Sequence, residues 1–113
     1  MDTIRDAYYA GLLDGEGCFY IHHKHKSAKT RERFDPVIMV GMTHEETVRS
    51  ILEHFKVGSV AVKVKQRKGS ERWKQQWRWT VCNRQALDVA LRLLPYLITK
   101  RDDAQKIVDH YSK

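Results

Sequence analysis

From Ala7 to Gly17 the chain reads as a helix with almost no bulk on one face, and it ends in two acids. Thr3 can cap a helix over residues 3–15, with Asp6 three positions on as a short form of the capping box. Ala7, Gly11 and Gly15 recur every four residues and line one face. A soluble helix normally avoids internal glycines, each of which costs about 1 kcal/mol against alanine. Such a face therefore predicts close contact with another helix, either within the chain or across a dimer. The acids are a second anomaly. A helix C-terminus carries partial negative charge, so Asp14 and Glu16 sit where carboxylates are disfavoured by roughly 0.3–1 kcal/mol each. A cation, a partner helix N-terminus or a reaction must want negative charge there.

The rest of the pattern places this helix in an α+β unit. Cys18 to Lys26 alternates, with Phe19 and Ile21 on one side and Tyr20, His22, Lys24 and Lys26 on the other. A polar loop to Arg33 leads to the apolar run Val37 to Met42, read as a central strand. Thr43 and Glu46 form a capping box for a helix whose stripe is Val48, Ile51, Leu52 and Phe55, closed by Gly58. From Ser59 the period returns to two. Val60, Val62 and Val64 oppose Lys63, Lys65 and Arg67; after a turn near Gly69-Ser70, Trp77, Trp79 and Val81 face inward while Lys74, Gln76, Arg78 and Thr80 face out. Asn83 is expected to cap a helix that Pro95 ends, and a last helix starts near Ile98 with Ala104, Ile107, Val108 and Tyr111 as its stripe. The order α-β-β-α-β-β-α-α predicts a single domain over 1–113, with a curved four-stranded antiparallel sheet and helices on one face.

Charge decides what the uncovered face meets. Of a net +7, residues 63–78 carry a balance of +6 and residues 24–33 a balance of +4, so the remainder is −3. Cations concentrated on exposed strands are an electrostatic footprint for a polyanion, and basic strands with Gln and His can read the DNA major groove. The contact set on this reading is Tyr20, His22, Lys24, Lys26, Lys63, Lys65, Arg67, Lys74, Gln76 and Arg78. No apolar stretch of about 20 residues exists to span a membrane. Asp2, Arg5 and Asp6 interrupt any secretory pattern at the start, and Cys18 and Cys82 form no CxxC pair. Both thiols are expected to be buried strand residues in a reducing compartment: a bacterial or phage-infected cytoplasm and nucleoid, or an organelle matrix.

Glu16 and the Gly15 carbonyl can offer two oxygen ligands to a hard cation such as Mg²⁺. One carboxylate is thin for phosphodiester hydrolysis, but a two-fold dimer through Ala7, Gly11 and Gly15 would bring two Glu16 side chains together, as two-metal cleavage requires. The run His22-His23-Lys24-His25 is not expected to bind zinc, because alternation splits His22 from His23 and no fourth ligand lies at useful spacing.

Tyr9-Ala10-Gly11-Leu12-Leu13-Asp14-Gly15-Glu16-Gly17 resembles the LAGLIDADG motif of homing endonucleases. Ala10, Gly11, Leu12, Asp14 and Gly17 match; Tyr9 replaces the first Leu, Gly15 an Ala, and Glu16 the second Asp. The resemblance extends through the αββαββα order, through Val57-Gly58-Ser59-Val60, and through Leu94-Pro95-Tyr96-Leu97-Ile98-Thr99-Lys100. It implies a homodimeric, intron-encoded type of nuclease that cuts pseudo-palindromic double-stranded DNA with Mg²⁺, for which Mn²⁺ or Ca²⁺ can substitute. It also implies roles. Glu16 and Gly15 hold metal, Lys100 stands near the scissile phosphate, and His44 orients the nucleophilic water. Asp14 caps the partner's motif helix, within an interface of Ala7, Ala10, Gly11, Asp14 and Gly15. Two other classes remain beside it: a non-cleaving nucleic-acid binder on the same scaffold, such as an RNA maturase or regulator, and a structural dimerisation domain. The +10 on two segments disfavours the last, since interface cores are depleted of charge.

Overall fold

A computed structural model describes the backbone of residues 3–65 and 74–112, with side chains for these residues other than Val64, Lys65 and Lys74. Helix α1 (Thr3–Glu16) runs directly into strand β1 (Gly17–Lys24). Then come β2 (Arg33–Met42), α2 (Glu45–Phe55), β3 (Ser59–Lys65), β4 (Lys74–Cys82), α3 (Asn83–Leu93), a 3₁₀ turn (Leu94–Tyr96) and α4 (Arg101–His110). The four strands form one antiparallel sheet in the order β1-β2-β4-β3, so two hairpins join through their second strands. This is the predicted α+β architecture.

One row of the register sets both faces. Gly17 pairs with Val40, Val40 with Trp79, and Trp79 with Val60. Alternation then sends Phe19, Ile38, Val40, Trp79 and Val81 toward the helices, where all are buried with Val48, Ile51, Val89, Leu93, Leu97 and Ile107. Trp79 anchors this core. It is fully buried, stacks on Phe55 at 5.7 Å between ring centroids, and donates from Nε1 to the Val57 carbonyl at 3.0 Å. Gly58, at φ 89°, makes that approach possible, because a Cβ there would fall 2.6 Å from the Thr80 carbonyl oxygen. Of the other tryptophans, Trp77 is partly buried on the same face, and Trp73 lies outside the described residues.

The structure corrects several local expectations. Helix α2 is capped by His44, not Thr43: His44 Nδ1 accepts from the Thr47 backbone N–H at 3.3 Å and lies 2.7 Å from Thr47 Oγ1. The imidazole thus does the work assigned to a Thr/Glu box. Helix α2 ends at Phe55, where Lys56 takes the left-handed cap conformation, before Gly58. Asn83 is the first residue of α3 rather than its cap, and Cys82 holds the cap position in extended backbone. Helix α4 starts at Arg101, because residues 98–100 are drawn away to α1 as described below. Strand β2 begins four residues earlier than Val37. Pro36 fits because it faces only Ile21 of β1; pairing with β4 starts at Val37. Cys18 and Cys82 are exposed, not buried, since Phe19 and Val81 take the inward positions beside them.

A buried polar cluster fixes α1 against α2 and α3. The Asp6 carboxylate is buried and accepts from Arg92 Nη2 and His54 Nε2, both at 2.7 Å. Tyr9 stacks on His54 at 4.7 Å, and the Arg92 guanidinium lies 4.8 Å from the Phe55 ring centre. Burial pushes the Asp6 carboxyl up, but hydrogen bonds and charge from Arg92 and His54 outweigh it and hold the group below its usual range.

Candidate functional site

The C-terminal end of α1 separates its two acids. The chain leaves the helix at Glu16 and begins β1 at Gly17 with no linker. Only glycine fits that exit, because a Cβ on Gly17 would stand 2.8 Å from the Leu13 carbonyl oxygen. Glu16 is therefore held at the seam between helix and sheet, exposed, with no hydrogen bond or ion pair among the described residues.

Asp14 is otherwise engaged. Its two carboxylate oxygens accept the backbone N–H groups of Ile98 and Lys100, each at 2.8 Å. Burial raises its carboxyl pKa, but the N–H groups of Lys100, Ile98 and Thr99 and the Lys100 charge lower it further, to a net value below the ordinary range. Asp14 thus caps the lead-in to α4 of its own chain. The same bonds bring Lys100 to the helix end that carries Glu16. Gly15, between the two acids, is exposed. His44 follows the end of β2 that pairs with the start of β1, but its Nδ1 is committed to the α2 cap.

The uncovered face of the sheet is polar and cationic. Register puts Tyr20, His22 and Lys24 of β1, Gln76 and Arg78 of β4 and Lys63 of β3 on it, all opposite to the core positions. Lys65 pairs with Lys74 in the backbone register. Lys26 follows β1 and is exposed, and Arg67 lies outside the described residues. Sequence reasoning missed further members of this face, including Cys18, Met39, Cys82, Arg33 and Asp35. Arg33 Nε donates to Asp35 Oδ2 at 2.8 Å, which internally neutralises one cation. The signal was available, since strict alternation from Phe19 and Val81 sends both cysteines outward.

On α1, Ile4 and Tyr8 are 82% and 62% exposed, and they continue the row of Gly11 and Gly15. A Cβ on either glycine would meet nothing within 4 Å. No described residue of this chain packs closely against either glycine. Ala7 is half-buried beside this row, whereas Ala10 is wholly buried in the core and cannot line an interface, against expectation.

A family model of the LAGLIDADG endonuclease matches residues 9–113, and the chain belongs to that family. Solved structures share the fold. The homing endonuclease I-CvuI, in complex with the I-CreI target in 2 mM Mg with the DNA not cleaved, superposes with a TM-score of 0.76 at 20% identity, over 96% of this chain and 66% of that one. The archaeal intron-encoded homing endonuclease I-Vdi141I, complexed with DNA, gives 0.71 at 18% identity, over 96% and 67%. The meganuclease I-CpaMI, bound to uncleaved DNA, gives 0.72 at 21% identity, over 92% and 34%. The chain thus spans just under two thirds of I-CvuI and about a third of I-CpaMI. Comparison with curated protein sequences found no match.

Proposed function

We propose that two copies of this one-domain chain pair through the exposed row of α1 to form a divalent-metal-dependent DNA endonuclease. The dimer cleaves both strands of a long pseudo-palindromic site. The observation that carries this reading is Glu16 at the end of α1, exposed and without a partner among the described residues, beside an Asp14 whose charge is already satisfied. A carboxylate there, next to the partial negative charge of a helix end, fits a hard cation's demand for oxygen ligands. The structures of relatives in Mg and in Ca support divalent metal use.

In this scheme Glu16, with the Gly15 carbonyl, holds the cation, and a two-fold axis along α1 sets two such ends side by side. The cation, when bound, supplies positive charge at the scissile phosphate and acidifies water. Lys100, tethered to α1 through Asp14, places an ammonium where negative charge develops. The cationic sheet faces lie one along each half-site: Lys63, Lys24 and Arg78 contact phosphates or base edges, while Gln76 and His22 supply directional hydrogen bonds. His44 has no part in this scheme beyond capping α2.

The test is selection of a bound site from a randomised double-stranded DNA library, followed by Mg²⁺ or Mn²⁺. The proposal expects cleavage of both strands and a dimer by sedimentation. Tight binding with no cut under either ion would favour the non-cleaving binder. A monomer on DNA at micromolar concentration would remove the symmetric-site model.

A further inference from the structure

The β1–β2 hairpin carries a second cluster on the side opposite Tyr20, His22 and Lys24. The ladder ends at the pair Lys24–Arg33, so one step further His25 stands across from Glu32, and His23 lies two residues back on that side. The His23 and His25 rings are 4.0 Å apart between centroids, and Glu32 Oε2 is 3.2 Å from His23 Nε2. One donor atom from each of the three residues lies within 4.8 Å of the other two. His23 Nε2 is closed off from solvent and makes no hydrogen bond, although Glu32 Oε2 lies 3.2 Å away. A buried ring nitrogen without a hydrogen bond is costly, and here a carboxylate and a second imidazole converge on it.

Two imidazoles and one carboxylate are the donor set of a borderline divalent ion such as Zn²⁺, with a fourth position open to water. Zinc bonds of about 2.0–2.1 Å put tetrahedral donors roughly 3.4 Å apart, which small side-chain rotations would reach from the observed spacing. Phe34 stacks on His23 at 4.3 Å and 10°, which restrains the ring. We propose that His23, His25 and Glu32 bind one Zn²⁺-class ion that clasps the tip of the β1–β2 hairpin. The clasp backs the strand end whose other side presents His22 and Lys24. This inference is independent of the nuclease reading and does not involve Glu16. Sequence spacing hid it because the third ligand, Glu32, comes from the opposite strand.

The experiment titrates the full chain, stripped with chelator, with Co²⁺ and then Zn²⁺. The clasp predicts one Co²⁺ per chain with visible d–d absorption, displaced by one equivalent of Zn²⁺ and untouched by excess Mg²⁺. His25→Ala and Glu32→Gln, both at exposed positions, lower Zn²⁺ affinity at least about tenfold. His110→Ala and Glu16→Gln retain it. In hydrogen exchange, Zn²⁺ raises protection at the ends of β1 and β2. Absence of the Co²⁺ spectrum, or equal affinity in His25→Ala and Glu32→Gln, overturns the proposal and leaves a His23–Glu32 ion pair only. If cleavage fails but one Zn²⁺ binds as described, the clasp stands and the nuclease reading alone falls.

Discussion

Asp14 and Glu16 are two residues apart on the same helix end, yet they live in different electrostatic worlds. Asp14 meets three backbone N–H groups and a lysine charge, so its negative charge is used up in holding residues 98–100 against α1. Glu16 meets nothing among the described residues and projects at the start of the sheet. A carboxylate that is already satisfied is structural; one left exposed against a helix dipole is available for a ligand. The resemblance to the family implies a role for each acid, and the geometry adds that Asp14 holds residues 98–100 of its own chain.

That contrast can be broken by substitution. The largest effect is expected at Glu16→Gln. On the proposed reading, loss of the carboxylate that holds the metal removes several kcal/mol of transition-state stabilisation, and at 1.36 kcal/mol per decade this is about a thousandfold or more in cleavage rate. The melting temperature should hardly move. At the inner end of the same helix, Asp6→Ala strips the buried partner from Arg92 and His54 and should cost about 3–5 kcal/mol by denaturant unfolding. Asp14→Ala loses hydrogen bonds to a charged acceptor and should cost about 1.5–3 kcal/mol. If Asp14→Ala kept full stability and lost only cleavage, the division between the two acids would be wrong.

Smaller effects sharpen the picture. Gly11→Leu adds bulk where this chain has open space, so the monomer should keep or gain up to about 1 kcal/mol from helix propensity. Its sedimentation should nevertheless shift from dimer to monomer. Acid titration gives the finest test. Asp6 and Asp14 both have folded pKa values below the ordinary 3.8. Their stabilisation is therefore complete above that value and is lost as pH falls below it through the lowered folded values. Asp14→Asn should flatten the acid limb of the stability curve.

Much of this was legible in residue patterns. Period-two alternation marks the strands and the cationic face, the i, i+3, i+4, i+7 stripe marks α2, and the bare row on α1 is a stretch that the described residues leave open. What escaped is of one physical kind. The Asp6–His54–Arg92 cluster joins positions 48 and 86 residues apart, Asp14 reaches across to residues 98 and 100, and Glu32 meets His23 only because two strands pair. Side-chain bonds across elements leave no local periodicity. At Cys18 and Cys82 residue type and local pattern disagree: cysteine tends to be buried, but alternation puts both outside. The His44 cap shows the converse, a residue type outside the usual capping set filling the position because its ring nitrogen reaches Thr47.

The most direct measurement is anomalous diffraction from crystals of the protein with its selected DNA site, soaked in Mn²⁺. The account predicts manganese peaks within coordination distance, about 2.2 Å, of the Glu16 carboxylates of two symmetry-related copies, with Asp14 still bonded to residues 98 and 100. Manganese on Asp14, or none at Glu16 while the DNA is being cut, would contradict it.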